Sequence, residues 1–119
     1  MSFFFNLKYG DLAGLIKSFK RNERENFLNE HIFLEWSLEL FDGLFYMHSK
    51  NIVHRDLTPT NIYLYKNENS SLEMSLKIGD FGISRQINSR GAGTFAGTLY
   101  YQSPQIVGFK AYSEKTDVW

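Results

Sequence analysis

In NIVHRDLTPTNIYLY, residues 51–65, an acid and an amide stand five residues apart, at Asp56 and Asn61, and Asn61-Ile62-Tyr63-Leu64-Tyr65 has strand composition. His54 and Arg55 precede the acid, and Thr58 and Pro59 lie between it and the amide. A second short run with strand composition, Leu76-Lys77-Ile78, leads into another acid, Asp80. The polar, turn-like KNENSSLEMS between the two runs predicts a hairpin that holds Asn61 and Asp80 near each other. Asp56, Asn61 and Asp80 are thereby candidates for one site. A carboxylate and an amide carbonyl are hard oxygen ligands that suit Mg²⁺, an ion usually shared with substrate phosphates. Asp56 is then left to orient the proton of a nucleophile, a division of labour that fits phosphoryl transfer. Taken singly, each residue has a blander reading: a solvated Asp, a packed core His.

Upstream of this stretch, Glu30 to His48 is strongly helical in pattern. Phe33, Trp36, Leu40, Leu44 and Met47 form one stripe, widened by Ile32, Phe41 and Phe45, and all of it is expected to be core. Earlier still, Phe3-Phe4-Phe5 reads as the end of a buried strand. Gly10-Asp11 breaks it, with Asp11 capping a short helix whose apolar positions are Leu12, Leu15, Ile16 and Phe19. Lys20 to Asn29 reads as a polar loop, and Ser84 to Gly97, rich in Gly, Ser, Arg and Thr, as a long exposed one.

The whole chain has 119 residues and 43% hydrophobic residues, enough for one core and too many for disorder. Thirteen Lys plus Arg balance thirteen Asp plus Glu, so no net field draws it to nucleic acid or an acidic membrane. It contains no cysteine, which excludes disulfides, thiolate metal sites and a Cys nucleophile. MSFFFNLKYG lacks a basic flank and a long apolar run, so neither a signal peptide nor a membrane span is expected, and an intracellular location, cytoplasmic or nuclear, is. The 17% aromatic content points to rings that pack on a partner surface.

His54-Arg55-Asp56 with Asn61, then Asp80-Phe81-Gly82, Ser103-Pro104-Gln105 and Asp117-Val118-Trp119 occur in an order that resembles the eukaryotic protein kinase family. YGDLAGLIKSFK, GLFYMHSKNIVHRDL, NIYL and KIGDFGISR look most like the NIMA-related serine/threonine kinases. YYQSPQIVGFKAYSEKTDVW and the lengthened hairpin also resemble the eIF2α-type kinases. The resemblance implies an α+β, partial protein-kinase-like fold. It assigns about 1–10 to the last small-lobe strand and hinge, 11–53 to large-lobe helices and 54–82 to the catalytic loop and metal-binding hairpin. Residues 83–105 become the activation segment, and 106–119 the start of the central-helix region.

The resemblance also implies roles, with ATP and Mg²⁺ as cofactors and a protein as substrate. Asp56 would accept the substrate hydroxyl proton, while Asn61 and Asp80 hold the metal ions on the ATP phosphates. Asp11 would meet the ribose, and Leu12 and Tyr63 would frame the adenine. His54 and Phe81, with Gly82 following, belong to a hydrophobic spine, and Asp117 would brace the catalytic loop. Arg55 would pair with an activation-loop phosphate. Thr98 matches the threonine placed beside the catalytic Asp, Thr94 is the favoured phosphorylation position and Ser89 a further hydroxyl.

Two positions depart from the family. Thr58 stands where serine/threonine kinases carry a lysine reaching the γ-phosphate, and losing such a contact costs roughly 10²- to 10³-fold in rate. Gln105 replaces the glutamate of Ala-Pro-Glu, which pairs with a buried arginine. No glycine-rich loop or strand lysine is found, and the chain reads as running from the strand before the hinge, with Phe4 or a neighbour as gatekeeper, to the first turn of the central helix. A small lobe is therefore expected to be absent, with apolar surface exposed and activity impaired. The competing expectation is a non-catalytic, pseudokinase-like binding module. A purely structural Mg²⁺-binding domain would explain the three oxygen ligands but not the order of the motifs.

Overall fold

In the computed structural model, residues 9–22, 29–70, 73–80, 85–86 and 99–119 are described. They form two compact units, each discontinuous in sequence. One holds the described residues up to Asp42 together with Pro59–Gly79, and the other holds Gly43–Thr58 together with the described residues from Asp80 on.

Near the start of the described part of the first unit, Gly10 has a φ of +81° and makes a turn that a side chain would resist. Asp11 then caps α1 (Leu12–Asn22): its side chain accepts from the Gly14 N–H at 2.7 Å and its carbonyl from the Leu15 N–H. The cap agrees with the sequence expectation. The helix is longer than expected, because Lys20–Asn22 continue it where a loop was read, and α1 packs against the turn at Pro59–Asn61.

That turn feeds the hairpin of β2 (Ile62–Lys66) and β3 (Met74–Ile78), antiparallel with Ile62 opposite Ile78 and Leu64 opposite Leu76. Leu64 and Leu76 are both buried, so the pair anchors one face, while Tyr63, Tyr65 and Lys77 lie on the other. Asn61 itself belongs to the helical turn, which corrects the sequence expectation that it opens the strand. A two-stranded hairpin is marginal alone, and here both edges are occupied. Gly10 O accepts from Leu64 N on the β2 side, where Asp11 also bridges Tyr63. On the β3 side, Trp36 Nε1 donates to Met74 O and Glu39 Oε2 accepts from Leu76 N at 2.7 Å.

Both of those side chains come from α2 (Glu30–Ser49), the expected long helix, which starts where Asn29 Oδ1 accepts from Ile32 N. Its buried residues are Ile32, Trp36, Leu44 and Met47. The expectation that the whole apolar circumference is core fails, because Phe33, Phe41 and Phe45 are exposed, as are Leu34 and Leu38. With apolar residues on most of the circumference, periodicity cannot say which arc faces inward. Leu34, Leu38, Phe41 and Phe45 follow an i, i+4, i+7, i+11 spacing and make a second apolar stripe.

In the second unit, β1 (Ile52–Val53) pairs antiparallel with β4 (Arg85–Gln86). The expected continuous loop from Ser84 to Gly97 is thus interrupted near its start by a strand. A helical turn at Leu99–Tyr101 and the short α3 (Pro104–Val107) follow, with Pro at the start of α3, where no N–H is needed. Val53, Ile106 and Tyr112 form the core of this unit, and the chain reaches a final helical turn at Glu114–Val118.

Candidate active site

Ile52–Val53 delivers the chain to His54, which is fully buried, and to Arg55 at a φ of +70°. Non-glycine residues rarely adopt that conformation unless the surroundings impose it. Among the surroundings is one carboxylate that holds two successive amides. Asp117, buried at the end of the chain, accepts from His54 N through Oδ2 and from Arg55 N through Oδ1, both at 2.9 Å. Oδ2 also meets His48 Nε2 at 2.8 Å, and since a carboxylate oxygen accepts, that ring nitrogen carries the proton. The Arg55 guanidinium donates to the Tyr112 hydroxyl at 3.1 Å, within the buried interior of the unit.

The next peptide is held as well. Asp56 N donates to His54 Nδ1 at 3.2 Å, and Arg55 O accepts from Gln102 Nε2 at 3.2 Å. Asp56 is therefore half-buried at the end of a backbone fixed residue by residue. Thr58 is only 2% exposed, so its hydroxyl is withdrawn from solvent. Asp80, exposed, adopts a φ of +54°.

The first unit carries the other candidate residues. Asn61 is buried, and its carbonyl accepts from Gly79 N at 2.9 Å, so the hairpin fixes Asn61 opposite the residue that precedes Asp80 in the chain. The Tyr63 ring lies over Gly79 so closely that a Cβ there would collide with it. Asp11 is bridged to Tyr63, and Leu12 is the first residue of α1, so these three are brought together at one edge of the hairpin. Phe4, Phe81, Gly82, Ser89, Thr94 and Thr98 lie outside the described residues.

The Asn61 amide oxygen and the Asp80 carboxylate are each hard donors of the kind that a divalent cation takes together with phosphate and water oxygens. Among the described residues, no group of three or more His, Asp or Glu side chains could hold a metal by itself. None of their helices is long and apolar enough to cross a membrane. His48, Tyr112 and Gln102 were not singled out from the sequence. The one local signal was a histidine or glutamine among apolar and aromatic neighbours, which alone says nothing about its partner.

Residues 3–119 match the protein kinase domain family. The chain is 39% identical over 118 residues to "Serine/threonine-protein kinase Nek5" of Homo sapiens, covering 98% of this chain and 16% of that protein. It is 39% identical over 114 residues to "Probable serine/threonine-protein kinase nek2" of Dictyostelium discoideum, covering 92% of this chain and 25% of that protein. With "Serine/threonine-protein kinase Nek11" of Mus musculus the identity is 38% over 111 residues, 92% of this chain and 16% of that protein. The chain thus spans between 16% and 25% of the length of these NIMA-related relatives. Matched over nearly its whole length, and with an α+β fold of the partial protein-kinase type, this chain belongs to the protein kinase domain family.

Proposed function

We propose that this chain carries the phosphoryl-transfer site of a protein serine/threonine kinase. The observation that carries the reading is the clamp on Asp56: a buried carboxylate holds the two preceding amides, one of them in a left-handed conformation. Such preorganisation has a stability cost and is characteristic of functional sites. In this reading the substrate hydroxyl oxygen bonds to the γ-phosphorus of ATP, the bond from that phosphorus to the bridging oxygen breaks, and ADP leaves. Asp56 accepts the hydroxyl proton. Asn61 and Asp80 would hold Mg²⁺, which when bound neutralises charge on the phosphates. Asp11 takes the ribose, Leu12 and Tyr63 frame the adenine, and Arg55 and Asp117 keep the loop in register. By the family resemblance, Thr98 is the threonine that serves with the catalytic acid, and Thr94 and Ser89 are the regulatory hydroxyls. An intracellular site of action, cytoplasmic or nuclear, accords with the ATP requirement and the lack of cysteine.

Thr58 sets the rate in this scheme. A neutral, buried hydroxyl brings no charge to the transferring group, so turnover is slow, by roughly 10²- to 10³-fold against a cation at that place. The same observation supports a second reading, a pseudokinase-like module that binds nucleotide without transfer. Labelled ATP with a generic protein substrate separates the two. Transfer that disappears in both Asp56→Asn and Asp80→Ala supports the kinase. Nucleotide binding that needs Mg²⁺ and Asp80, with no transfer, supports the module.

A further inference from the structure

The peptide between Arg55 and Asp56 is held at both ends: its N–H donates to His54 Nδ1 and its carbonyl accepts from Gln102 Nε2. His54 is the local partner, two residues back. Gln102 is remote, 47 residues along the chain, in the stretch between the helical turn at Leu99–Tyr101 and α3. We infer that Gln102 is a positioning residue: its amide fixes the plane of the 55–56 peptide, and with it the direction in which the Asp56 carboxylate leaves the backbone. The catalytic consequence rests on reading Asp56 as the proton acceptor.

The other end of the Gln102 side chain makes the argument. Gln102 is 7% exposed, and its Oε1 is buried with no hydrogen-bond partner among the described residues. A buried amide with one end unsatisfied is a poor way to fill space, because a leucine of similar volume would avoid the desolvation of both ends. What leucine would not provide is the Nε2 donor to Arg55 O. The glutamine thus costs folding stability at Oε1 and supplies orientation at Nε2. The backbone it steadies is also the one that Asp117 forces to a positive φ, so the two contacts act on consecutive bonds of one strained turn.

Gln102→Leu and Gln102→Ala separate positioning from packing. Both remove the donor, but only alanine removes the side-chain volume. Three quantities are read on the full chain: melting temperature, exchange of the Asp56 amide hydrogen by NMR, and kcat with KM for Mg·ATP. Gln102→Leu should melt no lower than wild type while the Asp56 amide exchanges about tenfold faster and kcat falls about tenfold at unchanged KM. Gln102→Ala should melt lower, with the same loss of kcat. A kcat that tracks melting temperature across the two variants, or wild-type exchange and kcat in Gln102→Leu, overturns the inference. If the wild-type chain transfers no phosphate, the reading of Asp56 falls, and exchange alone decides the role of Gln102. Faster exchange in Gln102→Leu upholds its hold on the peptide, and unchanged exchange refutes it.

Discussion

Arg55 stands at a φ of +70°, which costs an arginine on the order of 1–3 kcal/mol, and the Asp117 carboxylate offsets that cost by accepting from it and from His54. Asp117→Ala leaves two buried amides and the His48 ring without their acceptor, so a loss of about 3 kcal/mol or more is expected in urea unfolding. Asp117→Asn, which keeps one acceptor oxygen, should lose less. At Thr58 the expected effects on rate and stability oppose each other. Thr58→Lys should raise kcat by about tenfold or more by returning a cation to the transferring phosphoryl group. It should also lower the melting temperature, because the position is buried. A lower melting temperature with no gain in transfer would show that charge at this position does not limit the rate. The order of motifs drew attention to Asp117 and Thr58 but none to His48 or Gln102. Their partners lie 69 and 47 residues away, and such pairings leave no trace in local sequence.

At the scale of the elements, local chemistry was legible and the choice between faces was not. Gly10-Asp11 before an apolar 3.6-residue period is enough to place the start of α1, because the cap is made within four residues. The hairpin was legible from its two runs of strand composition separated by polar turn residues. On α2, by contrast, apolar residues occupy most of the circumference, so Phe33 could be placed inward in error while Ile32 is the buried neighbour. The Arg85–Gln86 strand was invisible for a related reason: two polar residues become a strand only because Ile52–Val53 presents an edge to them. The β3 edge makes a sharper case. Leu76 N would be an open donor without Glu39, and exposed strand edges invite pairing with other chains. Glu39→Ala should therefore cost about 1.5–3 kcal/mol, the range for a hydrogen bond to a charged group. It should also add a concentration-dependent β signal on standing, measured by infrared absorption. Glu39→Gln, which keeps an acceptor oxygen, should show much less of both.

For the molecule as a whole, the exposed apolar stripe on α2 is expected to drive association in solution. Phe45 is 77% and Leu38 66% exposed, on the same face as Leu34 and Phe41. Replacing Leu38 and Phe45 together by lysine should reduce light scattering at high concentration while moving the urea midpoint by no more than about 0.5 kcal/mol, since neither side chain is core. The two units are interleaved in sequence, with the chain passing between them at 42/43, 58/59 and 79/80, so neither can be cut out as one contiguous piece. The Asp117 clamp then acquires a meaning in time. Arg55 and its acceptor are separated by 62 positions. At a ribosomal pace of roughly 5–20 residues per second, about 3–12 s pass between the synthesis of one and the other. Throughout that interval the backbone leading to Asp56 lacks the carboxylate that holds its turn. A nascent chain thus acquires its clamped loop late, after the hairpin and α2 that precede Asp117 have already been made.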